Sequence, residues 1–130
     1  IDISRPDLAE ATLAYYETLI QKAAAIGIRV FVVHPSGEPI AEADRPARIA
    51  CAKKSLARLA DIAAKYGAVI AVENLPRTCL GNCADEVLEL ISAHPGLSRS
   101  TLRLKREDLL TFVRSTGHEP ILVDLPVEEE

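Results

Sequence analysis

The sequence predicts an α/β fold with parallel strands, and three observations lead there. Long helical segments alternate with short β-branched runs. Those runs are apolar almost throughout, as strands covered on both faces are. The third observation is a recurring spacing: Gly27, Gly67 and Gly117 each follow a helical segment and stand seven residues before a polar residue, His34, Asn74 and Asp124. Helix–strand alternation with buried strands implies right-handed crossovers. The chain of 130 residues fits one domain with a real core, built from about four βα units.

Residues 4–26 read as a helix. Ser4 suits the N-cap, Pro6 the first turn and Asp7 the capping-box acid. Ala9, Leu13, Tyr16, Ile20 and Ala23 mark its inner face at steps of three and four, and Gly27 stops it. Residues 29–34 (RVFVVH) follow as a strand. A second helix spans 44–66, with Ile49, Leu56, Leu59, Ala60 and Ala63 inward and Gly67 as its stop. Residues 68–73 (AVIAVE) form the second buried strand, expected to lie beside the first as a central, parallel pair. Asn82 is placed to cap a third helix to about residue 93, with Val87, Leu88 and Ile91 inward. Residues 97–104 carry Arg99 and Arg103, which are costly to bury unpaired. This strand is therefore expected at an edge, exposed, or not formed. A fourth helix at 106–115, Gly117 and a strand at 121–124 (ILVD) complete the pattern.

Composition narrows the function classes. Hydrophobic residues make up 48% and charged residues 26%, which is globular rather than disordered. With 4% aromatics and no Trp or Met, the core must be Ala, Leu, Ile and Val. A net charge of −4 argues against a nucleic-acid partner. No apolar run has the length of a membrane span. The opening IDISRP does not read as a signal peptide, and without an initiator Met, upstream residues are expected to have been cut or left out. Cys51, Cys79 and Cys83 have no framework spacing and read as reduced thiols, which fits a cytoplasmic protein.

In parallel α/β folds ligands bind at the carboxyl ends of the strands. That places His34, Glu73, Asn74 and Asp124 on one rim. His34 at a strand end suits a metal ligand, or a structural histidine bonded to a loop carbonyl. Glu73 emerges from five apolar residues, so a partner cation is expected: a metal, or Arg77 as a structural ion pair. Arg77 lies in a polar loop that runs into a helix N-terminus, an arrangement that favours an anion; ordinary capping by Asn82 is the plain alternative. Cys79 and Cys83 form no zinc pattern, residues 128–130 read as a solvated tail, and nothing marks His94 or His118 as ligands.

Three segments carry a family resemblance: 32–39 (VVHPSGEP), 54–67 (KSLARLADIAAKYG) and, most specifically, 71–82 (AVENLPRTCLGN). They resemble the xylose isomerase-like TIM-barrel superfamily of sugar phosphate isomerases, epimerases and endonuclease IV-type enzymes. The resemblance covers residues 1–95; residues 96–130 are diverged, so the whole chain, 1–130, reads as a single partial (β/α)8 TIM-barrel domain. It implies a divalent metal (Mn, Mg, Zn or Co) held by Glu73 and His34, with Glu73 also moving a proton, and Asn74 and Arg77 as substrate-binding residues. The chain departs from the family after residue 96, where an Asp and a His are expected as further ligands and Arg103 and Lys105 stand instead. A whole barrel needs about 250 residues, so a fragment, a diverged half-barrel or an altered reading of a longer gene is expected. The implied activity is metal-dependent isomerisation or epimerisation of a small sugar or sugar phosphate, with a metal weakly held or lost in this chain. The alternatives are a non-catalytic α/β module or half-barrel that associates with itself or a partner chain, and a phosphodiesterase of the nuclease branch.

Overall fold

The computed structural model describes residues 1–99. The elements run α1 (Ala9–Ala25), β1 (Val30–Val33), a 3-10 turn (Glu42–Asp44), α2 (Arg45–Lys65), β2 (Val69–Val72), α3 (Ala84–Ile91) and β3 (Leu97–Arg99). The expected helix at 106–115, the strand at 121–124 with Asp124, the remainder of 97–104, Lys105, Gly117, His118 and the tail at 128–130 lie outside the described residues.

Both long helices stop at glycine as the sequence predicts, for a visible reason. Gly27 and Gly67 have φ of +95° and +67°. Behind them Ile28 and Ala68 donate back to the carbonyls of Ala23 and Ala63, at 3.1 and 2.9 Å. Gly27 and Gly67 themselves donate to Ala24 and Ala64, at 3.0 and 3.1 Å. This is the Schellman closure, which needs a left-handed residue and turns the chain sharply into a strand.

The helix starts differ from expectation. Ser4 does not cap α1: its amide and hydroxyl both donate to Asp2 Oδ1, at 2.9 and 2.6 Å. An aspartate two residues upstream bonds the local backbone in competition with helix entry, and α1 begins only at Ala9. Asn82 does not cap α3 either. Its Nδ2 donates to the Arg77 carbonyl at 2.8 Å, and α3 starts after Cys83 without a side-chain cap. Leu88, expected inward, is exposed, while Val87 and Leu90 are buried.

The sheet has the order β1-β2-β3, with both pairings parallel. Val30 pairs with Val69 and Val33 with Val72, and Ile70 pairs with Leu97. Adjacent parallel β1 and β2 are thus as expected. β1 is an edge strand among the described residues, and β3 is the other. Val33, Ile70, Val72 and Leu97 share one core with Leu13 and Ile20 of α1, Leu56, Leu59 and Ala63 of α2, and Leu90 of α3.

Successive strand residues face opposite sides. Val30, Val32 and Val69 therefore lie on the face away from this core, and all three are exposed. The expectation that β1 is buried on both faces does not hold among the described residues. The apolarity is explained by the barrel geometry, in which that face lines a packed interior. No helix among the described residues is long and apolar enough to cross a membrane.

Candidate active site

His34 and Glu73 stand one residue beyond β1 and β2. The Val33–Val72 pairing sets them side by side, and the ladder continues one step further, with the Glu73 amide donating to the Val33 carbonyl at 3.1 Å. His34 Nε2 lies 2.8 Å from Glu73 Oε2. His34 is 63% exposed and Glu73 is 32% exposed. Parity puts both side chains on the same side as Val30, Val32 and Val69, at the carboxyl ends of the strands. In a neutral imidazole this contact requires the proton on Nε2, which leaves Nδ1 as the free lone pair.

The side chain beside Glu73 is His34, not Arg77. Arg77 reaches across to the first loop and binds Glu38 through both ends of its guanidinium, with Nε 3.0 Å from Oε2. Sequence spacing points four residues along the same loop, whereas the parallel register presents the neighbouring loop instead. Arg77 holds a left-handed backbone, φ +57°, and its carbonyl accepts from Asn82. Its hydrogen bond keeps the Glu38 carboxyl below the usual range, and burial, with Glu38 nearby, pushes the Cys79 thiol up.

The two loops are joined at further points. The Leu80 amide donates to buried Ser36 Oγ at 2.9 Å, and the Ile40 amide donates to Thr78 Oγ at 3.2 Å. Beneath them Arg45 of α2 donates to the carbonyls of Thr78 and Cys79, at 2.9 and 2.8 Å, and to both oxygens of Glu86, at 2.9 and 2.7 Å. Glu86 Oε1 also accepts the Gly81 amide at 2.7 Å. Sequence reasoning missed this clamp. An Arg beginning one helix and a Glu in the first turn of the next carry no local mark of their pairing.

Asn74 follows Glu73, two residues beyond the end of β2. Its Oδ1 is buried without a hydrogen-bond partner among the described residues. A cavity of about 390 Å³ adjoins His34 on the β1 side, with Ile3, Tyr16 and Val32 below and His34, Ser36 and Gly37 at its polar edge.

Among the described residues no three His, Cys, Asp or Glu side chains group as a metal site. The donors present suit two positions on one divalent ion. The imidazole nitrogen and carboxylate oxygen are 2.8 Å apart, a hydrogen-bond distance; ligands bound at about 2.0–2.2 Å on a tetrahedral zinc stand roughly 3.3–3.5 Å apart, so the two would part slightly and give up their hydrogen bond to share one ion. Water would have to fill the other positions.

A protein-family model described as xylose isomerase-like TIM barrel matches residues 1–100. No curated protein matches the chain.

Proposed function

Because the chain belongs to the xylose isomerase-like TIM barrel family, we propose that it is a metal-dependent isomerase- or epimerase-type protein acting on a small sugar or sugar phosphate. The observation that carries this reading is the His34–Glu73 contact at the strand ends. It pairs a candidate base with a group that orients it, at the rim where α/β folds bind ligands. A divalent ion bound by Glu73 and His34 would polarise a substrate carbonyl and its neighbouring hydroxyl.

The chain's own groups supply the rest. Without the ion His34 Nε2–H donates to Glu73 Oε2; with Nε2 and Oε2 turned to the ion, Glu73 Oε1 would be left to take a proton from the carbon next to the carbonyl. The same oxygen returns the proton to the neighbouring carbon for isomerisation; epimerisation would need a second acid on the opposite face of the intermediate, because a return by Glu73 to the same carbon restores the starting configuration. Asn74 and Arg77 are the substrate-binding residues of this proposal. Arg77 would take an anionic group such as a phosphate by exchanging Glu38, its partner in a solvent-exposed pair that holds weakly.

Deuterium uptake tests the reaction class. Small aldoses, ketoses and their phosphates are incubated with the chain and Mn²⁺, Mg²⁺ or Co²⁺ in D₂O and followed by proton NMR. Loss of the signal from the carbon-bound hydrogen, abolished in Glu73→Gln, is the expected result. Uptake unchanged in Glu73→Gln would remove Glu73 from the mechanism.

A second reading rests on the exposed Val30, Val32 and Val69. An apolar sheet face left open among the described residues favours a half-barrel that associates with another chain. Absence of uptake together with stable self-association would favour it.

A further inference from the structure

The N-terminal segment is fastened to α2 in its own right. Ile3 and Ser4 are buried. Ser55 Oγ donates to the Ile3 carbonyl at 2.8 Å, and Arg48 Nε donates to Ser4 Oγ at 2.9 Å. Asp2 adds a link that this fastening does not require. Its Oδ1 accepts Ser4, while its Oδ2 accepts Arg48 Nη2 at 2.8 Å and, across 35 residues of sequence, the Gly37 amide at 3.0 Å. Gly37 belongs to the loop that begins at His34. A Cβ on Gly37 would stand 3.1 Å from Asp2 Oδ2, so the close approach depends on glycine there.

The loop is thus held from two sides. Asp2 takes Gly37, and on the other side the Leu80 amide takes Ser36 Oγ at 2.9 Å. Pro35, between His34 and these two anchors, is fully buried and has a fixed φ. His34 itself is largely exposed, and its one polar side-chain contact among the described residues is Glu73. Its direction is therefore set by the backbone from which it projects.

We propose that Asp2 is a positioning residue for His34: by seating the Pro35–Gly37 turn it holds the imidazole against Glu73. The inference rests on reading His34 and Glu73 as the functional pair. Its consequence is that the His34 side of the site is set by the chain segment before α1, not by β1 alone. Arg48 balances the charge of Asp2, so the carboxylate remains ionised and keeps its acceptors in place.

The test uses NMR on the full chain, without metal or substrate. In Asp2→Asn, exchange of the Gly37 amide should quicken by roughly tenfold or more, the effect of losing one charge-assisted hydrogen bond. The nuclear Overhauser contact between the His34 ring and the Glu73 side chain should weaken with it. Ser4→Ala serves as the control, because it disturbs the same hub but leaves the Gly37 bond. It should lower the melting temperature and keep both signals. Should Asp2→Asn fail to fold, Gly37→Ala pushes against Asp2 Oδ2 while leaving the N-terminal bonds intact, and should weaken the same His34–Glu73 contact. An unchanged His34–Glu73 contact in whichever variant folds overturns the inference. Loss of the contact in a chain that shows no deuterium uptake would leave the inference standing and remove the reaction.

Discussion

Replacing Arg45 with Met should cost the fold about 3–5 kcal/mol, the range for removing one partner of a buried ion pair. The side chains of Arg45 and Glu86 are 10% and 13% exposed, so solvent screens them little. The substitution leaves Glu86 charged and unpaired, and it strips the carbonyls of Thr78 and Cys79 of their donor. Methionine replaces much of the lost volume, so the loss reports polar contacts rather than a cavity. For a chain of this size the melting temperature should fall by about 10–20 °C. Urea unfolding, with the denaturant slope checked against wild type, measures the effect directly. Adding Glu86→Leu to Arg45→Met should recover part of the loss, since two apolar residues leave no stranded charge. A cost below about 1 kcal/mol for Arg45→Met would refute the clamp as the element that holds the second loop.

Three further outcomes follow from particular contacts. Burial alone would raise the Asp2 carboxyl, but bonds from Ser4 and Gly37 and the charge of Arg48 hold it below its ordinary 3.8. Its contribution to stability is therefore complete above that value and is lost as pH falls through the lower folded value; Asp2→Asn should flatten this part of an acid-unfolding curve. Gly81→Ala should destabilise by about 1–3 kcal/mol in thermal melts, because φ is +76° and the new Cβ meets Val87 Cγ2 at 3.3 Å. Gly27→Ala, with φ +95° but open space around it, should cost about 1 kcal/mol. Sedimentation should show concentration-dependent association that Val32→Lys reduces; a wild-type monomer across the whole concentration range would reject association through the exposed sheet face.

The parts of the fold legible in the sequence were those fixed by local chemistry. Gly27 and Gly67 marked the helix ends because a Schellman closure needs a left-handed residue, and the apolar runs before His34 and Glu73 marked adjacent parallel strands. The meeting of His34 with Glu73 followed from that register. What the sequence did not disclose depends on contacts between distant segments. Nothing beside Ser4 says that Asp2 will take its hydroxyl, and nothing near Arg77 says that Glu38, on another loop, will hold it. Apolarity in β1 does not by itself mean burial. It specifies a face that barrel closure covers, and among the described residues Val30 and Val32 remain exposed.

The most direct test of the account is an absorbance titration with Co²⁺ on wild type, Glu73→Gln and His34→Ala. With two protein donors 2.8 Å apart and water completing the coordination, wild type should bind Co²⁺ saturably but weakly, and each substitution should weaken binding by about tenfold or more. Absence of binding in wild type, or binding that neither substitution changes, would contradict the assignment of His34 and Glu73 as the functional pair.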